Sequence, residues 1–346
     1  MSNGMYMFIA SLFAFFIAVT LTPVIRTFAF KFKVTDVPKD NRRMHTVEMP
    51  LMGGLAIFLA FVAGVFVFCK IDTKVIGMLV GALLIVITGI IDDKYDMNAF
   101  LKLFFQIAAA LIAVFSGIVI EQVDLFGHII VFGKYSGIVT MLWIVLLTNA
   151  INLIDGLDGL SCGVSAISSV TLLLSLVNSV DTPINVIFMI ACLAGSCLGF
   201  LPFNFNPAKI FMGDTGALFL GYAMSVLSIM GCFKLNAVVS FWVPFFVFAL
   251  PLIDTAFAFI RRILTGKSPF SPDRGHMHHR LIDKGFDQRH AVLMLYAVSG
   301  VSGVAAILIS VGKFVSGLAA IIIAIALLYL NMHFPSENDN TNNTDK

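Results

Sequence analysis

Residues 137–180 read GIVTMLWIVLLTNAINLIDGLDGLSCGVSAISSVTLLLSLVNSV. The run is apolar except for one interruption, Asn149-Ala-Ile-Asn-Leu-Ile-Asp-Gly-Leu-Asp-Gly-Leu160. A helical membrane span needs about 20 apolar residues, so the run is read as two spans, near 137–153 and 161–180, hinged at the polar stretch. Polar groups at membrane depth are costly and persist mainly where they face a cavity, a partner or a ligand. Asn149, Asn152, Asp155 and Asp158 recur every third residue. On a helix each such step turns back by roughly 60°, so neighbours share a face while the set fans out. Gly156 and Gly159 loosen any helix and permit close approach of backbone to a ligand. Helix capping explains one or two of these residues, not all four. The stretch has the chemistry of a metal or phosphate site, with Asp155 and Asp158 its strongest candidates.

The rest of the chain extends the same reading. Its 346 residues are 59% hydrophobic and only 12% charged, with a mean hydropathy of +0.97. A soluble domain carries about 25% charged residues, so the expected fold class is all-α, a polytopic membrane helical bundle. Eleven transmembrane helices are expected, near 5–25, 51–69, 75–91, 100–120, 137–153, 161–180, 184–202, 215–232, 237–260, 291–310 and 314–332. The first lacks a basic leader and a small-residue cleavage site, so it reads as a retained span. Lys70, Lys74, Lys134, Lys234 and Lys313 are the only basic residues on one side of this arrangement. The positive-inside rule therefore puts the N-terminus outside and the C-terminus in the cytoplasm. Residues 1–334 are expected to form one integral-membrane domain, and 335–346, rich in Asn, Asp, Ser and Thr, a disordered tail. Cys69, Cys162, Cys192, Cys197 and Cys232 form no CxxC pattern and are expected as reduced, structural thiols.

The other informative polar segments fall on the same, cytoplasmic, side. Ile91-Asp-Asp-Lys-Tyr-Asp96 closes the third span, and its adjacent carboxylates suit a hard cation. Asn204-Phe-Asn-Pro-Ala-Lys-Ile-Phe-Met-Gly-Asp-Thr-Gly216 puts Asp214 in a turn at a helix start, where free N–H groups attract phosphate. Asp214 is a plausible metal ligand there, and Phe211 could stack on a base. Pro272-Asp-Arg-Gly-His-Met-His-His-Arg280 carries three histidines that could grip a diphosphate. Asp36-Val-Pro-Lys-Asp-Asn-Arg-Arg-Met-His45 is a basic juxtamembrane segment in which Arg43 or His45 could bind phosphate. Acids are mostly Asp, with Glu only at 48, 121 and 337. Polar groups at one interface fit an interfacial enzyme better than a transporter, which needs them near midplane. Asp254, in the ninth span, is the exception.

Taken together, Asp92-Asp93, Asn149-x-x-Asn-x-x-Asp-Gly-x-Asp-Gly159, Asn206-Pro-Ala-Lys-x-Phe-Met-Gly-Asp-Thr-Gly216 and His276-Met-His-His-Arg-Leu281 resemble the polyprenyl-phosphate N-acetylhexosamine-1-phosphate transferase superfamily, of the glycosyltransferase family 4 type. The resemblance runs from about residue 20 to 310. His276-x-His-His-Arg-Leu, followed by Gly285-Phe and Gln288-Arg, looks like the branch that uses UDP-GlcNAc. The branch that takes UDP-MurNAc-pentapeptide usually shows three consecutive histidines, which Met277 interrupts here. Ala217 stands where the family often has Ser.

The resemblance implies transfer of GlcNAc-1-phosphate from UDP-GlcNAc to undecaprenyl phosphate at the cytoplasmic face of the bilayer. Undecaprenyl-diphospho-GlcNAc and UMP are the products, starting a surface glycan of teichoic acid or O-antigen type. It implies Mg2+, with Mn2+ as the alternative, held by Asp214 and one of the Asp92–Asp93 pair, Asp93 being the expected second ligand. Asp92 would bind or deprotonate the lipid phosphate. Asp155, Asp158, Asn149 and Asn152 would orient the nucleotide, and His276, His278, His279 and Arg280 would contact diphosphate or sugar. Lys209, Phe211, Arg43 and His45 complete the expected substrate contacts. No nucleic-acid partner is expected, and a homodimer is allowed. A covalent aspartyl-phosphate intermediate, a lipid-diphosphate hydrolase and a transporter are the competing readings.

Overall fold

The computed structural model describes residues 3–37, 48–125, 128–177, 179, 182–233, 239–266 and 275–333. Arg43, His45 and the tail 335–346 lie outside the described residues.

The described residues form helices α1 (Asn3–Lys31), α2 (Gly53–Phe68), α3 (Thr73–Tyr95), α4 (Ala99–Phe115), α5 (Ser136–Leu153), α6 (Leu160–Leu176) and α7 (Ile184–Asn204), then α8 (Gly213–Gly231), α9 (Val239–Val247), α10 (Ala249–Leu264), α11 (Met277–Asp283), α12 (Gln288–Ser310) and α13 (Phe314–His333). Among the described residues a helix lies within each of the eleven expected segments, with two, α9 and α10, in the ninth. Among the described residues six helices are long and apolar enough to cross a membrane, and a seventh span is available if α9 and α10 count as one segment bent by 79°. α2, α4 and α6 are apolar but shorter, and α13 is apolar over Phe314–Leu327. The hinge between the fifth and sixth segments falls at the polar stretch, with α5 ending at Leu153 and α6 starting at Leu160.

The all-α expectation needs one correction. Two antiparallel ribbons accompany the helices: β1 (Thr35–Asp36) with β2 (Met49–Pro50), and β3 (Gln122–Leu125) with β4 (His128–Val131). β4 carries Ile129, Ile130 and Val131, β-branched residues that favour a pleated strand. The β1–β2 pair, only two residues long, is set by Val34 and Leu51, whose backbones pair beside it.

α8 is the axis of the bundle. All its residues from Thr215 to Gly231 are buried, against α2, α3, α5, α6 and α7. Lipid chains are as apolar as leucine, so helices in a bilayer associate mainly through close packing and small residues. Gly54 on α2 and Gly216 on α8 meet backbone to backbone, and a side chain at either would overlap the other helix. Gly89 on α3 likewise admits the backbone of Thr215. Asp72 caps α3 through Val75 N, Asn98 caps α4 through Phe100 N, and Asp287 caps α12 through His290 N. α1 and α13 instead turn Phe8, Phe16, Ile322 and Ile325 outward, the surface a bilayer covers. The chain is a multi-pass membrane protein. Its five cysteines are free and buried.

Candidate active site at the helix ends

α3, α4, α5 and α8 bring their polar ends to one place. Asp92, buried at the end of α3, has its Oδ2 2.7 Å from Lys102 Nζ of α4 and accepts Met97 N–H at 2.7 Å. The Asp214 carboxylate, on the first turn of α8, faces Asp92. Its Oδ2 lies 3.6 Å from the same ammonium. One lysine therefore bridges two carboxylates from different helices. Asn152, near the end of α5, donates through Nδ2 to Asp214 Oδ1 in a short hydrogen bond.

Asp93 points at the N-terminus of α8. Its carboxylate accepts from Asp214 N at 2.7 Å, Thr215 N at 3.2 Å and Thr215 Oγ1 at 2.6 Å. A helix start leaves its first N–H groups without helical partners and carries a partial positive charge. α3 thus supplies from outside the cap that α8 lacks in its own sequence. Gly213, at φ +70°, fits beside that carboxylate because it has no Cβ, which would strike Asp93.

Asp155 sits in the turn between α5 and α6, close enough to Asp214, Asp93 and Asp158 to feel their charge. Burial pushes its carboxyl well above the usual carboxylate range, and those three carboxylates add to the shift. Among the described residues its side chain has no hydrogen-bond partner. Asp155 is the uncommitted acid of the cluster.

The remaining expected residues divide by what they hold. Asp158 Oδ2 accepts Asn206 Nδ2 and Ala208 N, each at 3.0 Å, and so pins the 205–212 loop. Asn149 makes a reciprocal amide pair with Gln106 of α4, at 2.6 and 3.3 Å. Phe211 is half-buried, with its N–H on Pro50 O and its carbonyl on Gly53 N. Lys209 is exposed, and its carbonyl receives Arg26 Nε at 3.0 Å. Arg280 is exposed on α11.

The histidines abut this cluster from α11. His278 is buried with its ring against Gly156, where a Cβ would fall on the imidazole. Burial, reinforced by His279, pulls its pKa down to about 3, against partial opposition from Asp254. His278 is therefore neutral near neutral pH. The rings of His276 and His278 stack at 5.8 Å, and His279 lies 4.3 Å from His278.

Sequence reasoning missed Lys102, Gln106, Asn206 and Gln288 as members of this network. Gln288 Oε1 accepts Asn206 Nδ2 at 2.8 Å, and Arg289 Nε donates to the Asn206 carbonyl at 3.0 Å. Lys102 follows Asp92 across a helix break, and as a lone lysine beside an apolar segment it signalled only orientation. Among the described residues no three His, Cys, Asp or Glu side chains close around a point as a metal cage.

The glycosyl transferase family 4 model matches residues 75–232, which run from α3 to α8. The chain is 39% identical over 292 residues to the probable undecaprenyl-phosphate N-acetylglucosaminyl 1-phosphate transferase of Bacillus subtilis (strain 168), covering 84% of this chain and 81% of that protein. It is 33% identical over 315 residues to the decaprenyl-phosphate N-acetylglucosaminephosphotransferase of Mycobacterium leprae (strain TN), covering 82% of this chain and 79% of that protein. Identity to the undecaprenyl-phosphate alpha-N-acetylglucosaminyl 1-phosphate transferase of Thermotoga maritima is 32% over 261 residues, 75% of this chain and 76% of that one. The matched helices are those whose ends assemble the carboxylate cluster, and the chain belongs to glycosyl transferase family 4.

Proposed function

We propose that this protein transfers GlcNAc-1-phosphate from UDP-GlcNAc to undecaprenyl phosphate, releasing UMP, as the first lipid-linked step of a surface glycan of teichoic acid or O-antigen type. The observation that carries this reading is the convergence of Asp92 and Asp214 on Lys102 at the ends of membrane helices, with Asp155 close enough to Asp214 to feel its charge. A phosphorylated lipid enters such a place from the bilayer and a nucleotide from water. The names of the relatives support both substrates. The basic residues gathered on the same side support a cytoplasmic site at the bacterial cell membrane.

The donor set consists of oxygens, which fits a hard divalent cation, magnesium or manganese. Magnesium is commonly held by one or two carboxylates plus substrate phosphates, which agrees with a site that forms no cage by itself. Asp214 and Asp155 would hold the ion, with Asp93 fixing the backbone of Asp214 behind it. When bound, such an ion neutralises the diphosphate and aligns it for displacement.

The protein's own groups do the remaining work. An oxygen of the lipid phosphate forms the new bond to the sugar-linked phosphorus as the bond from that phosphorus to the UMP oxygen breaks. Lys102 neutralises charge beside Asp92, where the lipid phosphate would arrive. Asn152 holds Asp214 in place, and Asp158 holds the loop that carries Phe211 toward the base. His276, His279 and Arg280 reach the diphosphate and sugar, while His278 packs under Asp155's turn.

The test is UMP release by purified protein given undecaprenyl phosphate, magnesium and either UDP-GlcNAc or UDP-MurNAc-pentapeptide. Release with UDP-GlcNAc alone is expected. Release only with the pentapeptide substrate would move the protein to the other branch.

A further inference from the structure

Asp254 lies in the middle of α10 and is buried, at 3% exposure. A carboxylate buried in a membrane bundle is costly unless its charge is met by hydrogen bonds. Here it is. Asp254 Oδ2 lies 2.7 Å from His276 Nδ1, and Oδ1 accepts Met277 N–H at 2.8 Å. The contacts are to the residue that caps α11 and to its first residue, across 22 and 23 residues of sequence. One turn pair further along α10, Arg261 packs against Gly275, where a Cβ would overlap its guanidinium. α10 thus grips the histidine segment at two points on one face, Asp254 and Arg261 being seven residues apart. From His276 the contacts continue inward: its ring stacks on His278, and His278 packs on Gly156 beside Asp155.

We propose that Asp254 is a positioning residue for the transfer reaction, fixing through Nδ1 the orientation and tautomer of His276 that presents Nε2 to the diphosphate. The proposal rests on the transferase reading given above. A carboxylate is an acceptor only, so its contact with Nδ1 keeps a proton there. Nε2 is then the nitrogen left for substrate. Asp254→Asn has nearly the same shape but a different hydrogen-bond pattern. Its oxygen can still accept Met277 N–H, and its amide group then donates to Nδ1. The proton of His276 is forced to Nε2, while the segment stays in place.

The experiment uses the full chain in lipid nanodiscs and compares wild type, Asp254→Asn, His276→Gln and the double variant for UMP release from UDP-GlcNAc. Asp254→Asn is expected to lower kcat about 10–100-fold, the usual effect of losing a group that orients a functional histidine, with KM for UDP-GlcNAc nearly unchanged. The double variant should be no slower than His276→Gln alone, because Asp254 acts through His276. Asp254→Asn within about twofold of wild type, or losses that multiply in the double variant, would overturn the proposal. A His276→Gln variant as active as wild type overturns it too, by removing the group acted through. In that case UMP release by the wild type still separates this failure from failure of the transferase reading.

A second measurement needs neither turnover nor a folded variant at Asp254. In wild-type protein labelled with 15N-histidine, the His276 signal, identified by its loss in His276→Gln, should show a proton on Nδ1. A bare Nδ1 with the proton on Nε2 would refute the assignment.

Discussion

At the scale of single residues, the acids of this site differ in what else they do. Asp93 is occupied by the start of α8 and Asp158 by the 205–212 loop, whereas Asp155 has no partner among the described residues. Replacing Asp155 or Asp214 by Asn should therefore cost at least about 100-fold in kcat with the fold intact, the scale for losing a group that stabilises transition-state charge. UMP release combined with size-exclusion behaviour checks this, and near-normal turnover in Asp214→Asn would remove it as a metal ligand. His278 gives a stability prediction. Its folded pKa of about 3 lies below the ordinary 6.5, so below pH 6.5 the unfolded chain takes up a proton that the folded protein refuses. The stability linked to its neutral form is full above that value and is lost as pH falls toward 3. At about pH 5 the loss is about 2 kcal/mol. Thermal unfolding in nanodiscs between about pH 7.5 and 5 should fall more steeply for wild type than for His278→Gln, and parallel curves would contradict the burial argument. Asp92, Asp155 and Asp214 were legible in the sequence because a carboxylate at membrane depth is conspicuous. Asp254 was equally conspicuous but unexplained, because its partner His276 lies 22 residues further along the chain, beyond the end of α10.

At the scale of elements, the decisive contact is α3 with α8. Met212, the N-cap residue of α8, makes no side-chain cap, so the start of α8 depends on Asp93. Asp93→Ala should lower stability by about 1–2 kcal/mol, the range for a lost N-cap, and should lower activity by freeing the backbone of Asp214. An unchanged melting temperature would show that the cap does not hold this helix. The close approach of α2 to α8 leaves no room at Gly54, and Gly54→Ala should cost about 1–3 kcal/mol through overpacking, read by the same melting experiment. The helices were legible because apolar segments of span length leave little choice in lipid. The inter-helix cap and the β1–β2 ribbon were not, since neither Asp93 nor Thr35 carries a local signal of the distant backbone it meets. The 79° break between α9 and α10 also escaped the sequence reading, which joined residues 237–260 as one span.

At the scale of the whole molecule, the polar chemistry gathers at one end of a bundle whose outer surface is apolar. The orientation we propose puts that end in the cytoplasm. In a chain whose native cysteines are buried, Lys134→Cys should react with a membrane-impermeant maleimide in intact cells, while Lys284→Cys should react only after the cells are opened. The reverse pattern would invert the topology. The central claim, however, is chemical: the sugar moves together with its phosphate. UDP-GlcNAc carrying 32P in the phosphate next to the sugar separates the possible outcomes in a single incubation with undecaprenyl phosphate and magnesium. The account predicts that the label enters the organic, lipid-bearing phase while unlabelled UMP accumulates in water. Label retained in water, as UDP or as free GlcNAc-1-phosphate, with none in the lipid phase, would contradict it.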